Sequence, residues 1–148
     1  MLIKGSITAL VTPMKEDASI DYESINNLIN FQIDNGIDGI VAVGTTGESA
    51  TIDFEDHIKL IEFFVKESDN RVPIIAGTGA NSTEEAIILT KAAKTIGADA
   101  ALLVSPYYNK PPQEGLLQHH LKLAEEVQIP QILYNVPSRP ATFIESST

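Results

Sequence analysis

The sequence has no cysteine, few basic residues and no long apolar run, and each shortage closes off a class of function. Without cysteine there are no disulfides, no thiolate nucleophile and no cysteine-based zinc site. Only 10 Lys and Arg stand against 20 Asp and Glu, for a formal net charge of −10. No basic cluster is present to follow a phosphate backbone, which argues against a nucleic-acid partner. No apolar stretch approaches the roughly 20 residues that a bilayer-crossing helix needs. The N-terminus lacks a basic region followed by a small-residue cleavage site, so a cytoplasmic location is expected. His119 and His120 are adjacent and diverge on a helix, so they do not form an i, i+4 metal pair; no metal site is expected. Nucleophile elbow and P-loop motifs are also missing.

What remains is an ordinary globular composition. Of the 148 residues, 43% are hydrophobic and 20% charged, which excludes a disordered chain and gives enough length for one domain spanning residues 1–148.

Short apolar runs alternate with amphipathic stretches. Strands are predicted at Ile7–Val11, Gly39–Val43, Val72–Ala76, Ala100–Val104 and Gln131–Asn135. Helices are predicted after Asp21, with an apolar stripe through Ile25, Leu28, Ile29 and Ile33, and after Asp53, with Ile58, Ile61, Phe64 and Val65. A third is predicted after Ser82, where Ser82 and Glu85 have capping-box spacing and Gly97 ends the helix, and a fourth from about Gln113. His120 falls in the apolar stripe of the fourth, where a hydrogen-bonded core histidine is expected, and His57 is expected at the surface. The strands are apolar on consecutive residues, as in parallel sheets covered on both faces, and recur about every 30 residues. Four βα units and a fifth strand fit either an open flavodoxin-like sheet or part of a (β/α)8 barrel. In both, chemistry belongs at the C-terminal strand ends.

Those ends carry distinctive loops. After strand two comes Gly44-Thr-Thr-Gly-Glu-Ser49, an ordinary turn or a cradle for a small anion. Gly77-Thr-Gly-Ala-Asn-Ser82 imitates the start of a dinucleotide fingerprint but has Ser82 in place of the third glycine, and reads as a turn and cap. Ser105-Pro-Tyr-Tyr-Asn-Lys-Pro-Pro112 places adjacent tyrosines in a proline-stiffened loop, suited to an interface, to proton transfer or to packing. Tyr134-Asn-Val-Pro-Ser-Arg-Pro140 offers a phenol and one of only two arginines, which either clamps a carboxylate or lies solvated at the surface.

Taken together, Ala9-Leu-Val-Thr-Pro13, Val43-Gly-Thr-Thr-Gly-Glu-Ser49, Ala76-Gly-Thr-Gly-Ala-Asn81, Pro106-Tyr-Tyr-Asn109 and Tyr134-Asn-Val-Pro-Ser-Arg139 resemble the dihydrodipicolinate synthase family across essentially the whole chain. The resemblance implies the N-terminal portion of a (β/α)8 barrel and a class I aldolase reaction without a cofactor. In it, pyruvate forms a Schiff base with a lysine, and the derived enamine attacks aspartate semialdehyde on the route to lysine and diaminopimelate. By motif, Thr45, Tyr108 and Tyr134 match a catalytic proton relay, with Tyr108 contributed across a dimer interface of a homotetramer. Thr45 and Thr46 match the pyruvate-carboxylate binders, and Arg139 the residue receiving the semialdehyde carboxylate. Ser49, Ala50, His57, Asn81, Glu85 and Tyr107 match an allosteric lysine site, while Phe54 stands where some lysine-sensitive members carry histidine. Pro140 replaces the family's usual threonine. The family's Schiff-base lysine ends strand six, which the repeat places near position 160, so none of the lysines present takes that role. Two other readings stand beside this one: a non-catalytic half-barrel that binds small carboxylates or a partner, and a sister pyruvate aldolase such as N-acetylneuraminate lyase.

Overall fold

The computed structural model describes residues 3–136 and 138–148. Five parallel strands form one sheet in the order β1-β2-β3-β4-β5: β1 (Ile7–Ala9), β2 (Gly39–Ala42), β3 (Ile74–Gly77), β4 (Ala100–Val104) and β5 (Gln131–Tyr134). Helices α1 (Tyr22–Asp34), α2 (Phe54–Ser68), α3 (Thr83–Ile96) and α4 (Gln113–Glu126) connect them, and a 3-10 turn covers Ser49–Thr51. Sequential strand order excludes the open flavodoxin-like alternative, in which the chain reverses direction across the sheet at a switch point. The architecture is α/β, five strands of a partial barrel.

Local chemistry explains the element ends. The Asp21 side chain accepts hydrogen bonds from the Ser24 amide at 3.1 Å and the Ser24 hydroxyl at 2.7 Å, capping α1. Ser82 caps α3 by accepting from the Glu85 amide at 3.3 Å, and Gly97 closes that helix with φ +103°, a conformation glycine adopts without a Cβ penalty. The reciprocal half of the capping box, a Glu85 side-chain bond back to Ser82, is not formed among the described residues. Beside β3, the Asp99 carboxylate accepts from the Ile74 amide at 2.9 Å, tying the start of β4 to that of β3.

Alternation along the strands sorts side chains to two faces. Ile40, Ala42, Ile74 and Ala76 pack outward against Ile25, Ile29, Leu60, Ile61 and Phe64, forming the principal core between sheet and helices. Val41, Ile75 and Ala100 face the opposite way and cluster with half-buried Ile7, Leu102 and Ile132. By the same parity, Gly77 follows Ile75 and Tyr134 follows Ile132 onto that inner face. The fold therefore aims a bare backbone position and a phenol toward the barrel interior.

Candidate functional site

Val43, expected to extend the second strand, instead turns out of it. It sits at φ +53°, a left-handed conformation that a β-branched residue adopts only at a cost, and the pairing of β2 with β3 stops at Ala42↔Ala76. The chain then bends over the sheet's C-terminal end as the loop carrying Thr45 and Thr46. Three internal contacts fold this loop on itself: the Glu48 amide donates to the Thr45 carbonyl at 3.1 Å, the Ser49 amide to the Gly44 carbonyl at 3.3 Å, and the Thr51 amide to the Glu48 carbonyl at 3.0 Å. From β1's side, the buried Thr12 hydroxyl donates to the Gly47 carbonyl at 2.8 Å. A side chain on Gly47 would press against the Leu10 carbonyl and the Thr12 hydroxyl, each at 3.1 Å. Thr12 was not singled out by its sequence context, and nothing local marks it, since Gly47 is 35 residues away.

Two cavities open at this end. The larger, about 300 Å³, is walled by Thr45, Glu48, Ser49, Val104, Tyr107 and Arg139, with Ala50, Thr51 and Pro140 completing it. The smaller has room for about one water molecule, about 10 Å³, and lies beneath it among Val43, Gly44, Thr45, Gly77, Val104 and Tyr134. Thr45 lines both. Thus strands two, four and five each deliver a sequence-predicted residue to these adjoining cavities: Thr45 lines both, Tyr107 and Arg139 the larger, and Tyr134 the smaller. No lysine lines either cavity among the described residues.

Other expected site residues lie apart. Tyr108 is 92% exposed at φ +72°, projecting away from the protein. Thr46, Asn81 and Glu85 are exposed and line neither cavity. Burial, with a smaller contribution from the nearby Glu85 carboxylate, raises the Tyr107 phenol above its ordinary pKa. Glu85 stands in the first turn of α3 and Tyr107 in the loop after β4.

The histidines depart most from expectation. His57 is not a surface residue: it is 4% exposed, and its Nε2–H donates to the Gly77 carbonyl at 2.7 Å. Burial holds its pKa below the usual histidine value, partly opposed by that hydrogen bond. Its place at the start of α2 suggested solvent, but α2 packs directly on β3. His119 is buried too, its Nδ1 2.9 Å from the Thr83 hydroxyl. His120 is buried as expected, yet neither ring nitrogen has a partner among the described residues. Its ring stands edge-on to His119, centroids 4.9 Å apart. Burial, reinforced by His119, pushes the His120 pKa down to about 4.

An acid sensitivity follows. Unfolding frees His120 to bind a proton at its ordinary pKa near 6.5, whereas the folded state resists protonation down to about 4. The unfolded state thus binds more protons in that window, and folded stability falls as pH drops from about 6.5 toward 4. His57 and His119, both depressed by burial, act in the same direction. Urea midpoints measured between pH 7 and pH 4.5 are expected to decline, with a shallower decline in His120→Phe. An unchanged slope in that variant would show that His120 does not couple protonation to unfolding.

With this geometry in hand, similarity to known proteins is informative. Residues 2–148 match the signature described as the Dihydrodipicolinate synthetase family. A 4-hydroxy-tetrahydrodipicolinate synthase of Alcanivorax borkumensis is 62% identical over 138 residues, covering 93% of this chain but 47% of that protein. The crystal structure of the chloride-inhibited dihydrodipicolinate synthase from Acinetobacter baumannii, complexed with pyruvate, superposes with a TM-score of 0.96 at 55% identity; the match covers 99% of this chain and 50% of that one. The Aquifex aeolicus dihydrodipicolinate synthase gives a TM-score of 0.94, also at 55% identity, over 97% of this chain and 48% of that one. The chain spans about half the length of these relatives and corresponds to their N-terminal part. Signature, identity and overall superposition agree: the chain belongs to the dihydrodipicolinate synthetase family.

Proposed function

We propose that this chain forms the carboxylate-binding and proton-relay half of a 4-hydroxy-tetrahydrodipicolinate synthase active site, condensing pyruvate with aspartate semialdehyde once a Schiff-base lysine is supplied by a strand beyond these residues. The observation that carries this is the convergence of Thr45 and Tyr134 on one small cavity at the inner, C-terminal end of the sheet, with Arg139 on the rim of the adjoining one.

In this reading, the Thr45 hydroxyl and the loop amides receive the pyruvate carboxylate, which leaves its carbonyl carbon toward the barrel interior, and the exposed Thr46 contributes through the loop backbone rather than through its side chain. The lysine amine adds there and expels water to form the imine. Loss of a C3 proton gives the enamine, which attacks the aldehyde carbon of the semialdehyde while Arg139 holds that substrate's carboxylate. Tyr134 accepts and returns the protons. A lone phenol, with a pKa near 10, is a poor base at neutral pH, and a hydroxyl chain through Thr45 to Tyr108 of a second copy overcomes this by passing the proton onward. Exposure of Tyr108 suits delivery across an interface between copies, and so a homo-oligomer. Ser49, Ala50, His57, Asn81, Glu85 and Tyr107 form one matched set for an effector amino acid such as lysine, of which Ser49, Ala50 and Tyr107 line the larger cavity. The relatives described above are synthases, which favours the synthase over a sister pyruvate aldolase.

The half-site reading is tested by titrating the isotope-labelled chain with pyruvate and following amide resonances. Shifts are expected to centre on Thr45, Thr46 and Gly47. Thr45→Val removes a hydrogen bond to a charged group, worth about 1.5–3 kcal/mol, so binding should weaken by roughly 10- to 100-fold. Shifts centred elsewhere, or a Thr45→Val variant that binds equally well, would exclude this site.

A further inference from the structure

The Gly77 carbonyl lies where a regular parallel ladder would receive a donor from the residue after Val43, since β2 pairs with β3 only as far as Ala42↔Ala76. Val43's left-handed turn carries the chain away, and among the described residues no backbone amide of the 43–49 loop takes that place. The buried His57 ring does, at 2.7 Å from across the sheet–helix interface. On Gly77's inner side, a Cβ would stand 2.3 Å from the Val43 carbonyl oxygen, 2.8 Å from the Val43 carbonyl carbon and 2.9 Å from the Gly44 Cα. The Val43–Gly44 peptide therefore rests directly on the bare Gly77 backbone, and Thr45 is the next residue along. The contacts run without a gap from His57 to Gly77, to the strained peptide, to the loop that lines both cavities.

We infer that His57 and Gly77 are positioning residues: the His57–Gly77 hydrogen bond seats the left-handed Val43–Gly44 peptide and thereby sets the direction in which Thr45 enters the cavity. Two features make the histidine suited to this. Its donor reaches a backbone acceptor that the sheet leaves unserved, and a buried carbonyl left without a donor is destabilising. A left-handed valine also persists only where its surroundings over-determine it, so loosening the seat lets Val43 relax toward extended backbone and swings Thr45 with it. The consequence for substrate rests on the proposed role of Thr45, but the positioning itself needs no substrate.

Hydrogen exchange of the full 148-residue chain tests it. His57→Phe keeps a buried ring and removes the donor; amides of Glu48, Ser49 and Thr51, which close the loop, are expected to exchange at least tenfold faster, with those of α4 unchanged. His57→Gln, which restores an N–H donor, should recover at least half of the lost protection on a logarithmic scale. Should His57→Phe fail to fold, Gly77→Ala provides the same reading, because its Cβ would meet the Val43 carbonyl oxygen at 2.3 Å and unseat the peptide, and it should accelerate the same amides while α4 keeps its protection. Unchanged loop amides, acceleration spread equally through α4, or no recovery in His57→Gln would each overturn the inference. Since no ligand is present, such a failure is distinct from failure of pyruvate to bind.

Discussion

Treated with pyruvate and borohydride, this chain is expected to gain no covalent adduct. Trapping requires a neutral amine beside the pyruvate carbonyl, and the lysines present are elsewhere. Lys4, Lys15, Lys59, Lys66, Lys91, Lys94, Lys110 and Lys122 include none that lines either cavity. Several are also engaged: Lys59 pairs with Asp56 at 2.8 Å, and Lys91 and Lys122 share Glu126 at 2.9 and 3.1 Å. Those hydrogen bonds raise the Lys59 and Lys122 pKa values, which lowers the fraction of free amine, the opposite of what Schiff-base chemistry needs. A chain bearing the remaining strands of a relative, mixed with this one, should restore a stoichiometric adduct located on its own lysine. Mass spectrometry of the digested products reads both results. An adduct mapped to any lysine of this chain would show that the covalent step resides here after all, and would replace the half-site reading with a complete one.

A second large effect concerns association. Five strands leave β1 and β5 with unpaired edges, and closing a barrel is what removes such edges. The exposed groups match this: Leu133 on β5 is 50% exposed, Leu121 and Phe143 are exposed, and Ile7, Leu102 and Ile132 on the inner face are only half-buried. The 16.0 kDa chain is therefore expected to sediment as a concentration-dependent dimer or larger species. Leu133→Lys, which sets a charge beside the open β5 edge, should shift it toward monomer. Tyr108→Ala separates the two routes to self-association, because it removes an exposed phenol that belongs to no strand and should leave edge pairing intact. A monodisperse monomer at all concentrations would mean that the open edges do not drive association.

Local chemistry made much of the fold legible. Asp21 and Ser82 each precede an apolar period and cap a helix, and Gly97 ends one, because capping depends on neighbours three or four residues away. The fourth strand lies at Ala100–Val104 as expected. The second falls one residue short: Val43 reads as strand from its β-branched side chain, but in the structure it turns into the left-handed region with its carbonyl against Gly77. The third strand begins at Ile74 and includes Gly77, where Val72 had been expected to begin it, because its register follows its neighbours. At the site, Thr45, Tyr107, Tyr134 and Arg139 were all named from strand-end position. Thr12 and Gly77 stood there only as parts of motifs, and their contacts with Gly47 and His57 were not legible, since they exist only against residues brought in from elsewhere in the chain.

The sequence by itself determined the repeating βα units, the helix caps and which side chains stand at the C-terminal strand ends, for these depend on periodicity and on residues a few positions apart. Tertiary structure alone decided that the strands run in sequential order rather than doubly wound, since both topologies share one local pattern. It alone also turned Val43, buried His57 and closed the Thr12–Gly47 and His57–Gly77 contacts, across 35 and 20 residues of chain. The physical reason is the same in each case: a buried carbonyl must find a donor, and which donor is near enough depends on how the sheet and helices pack.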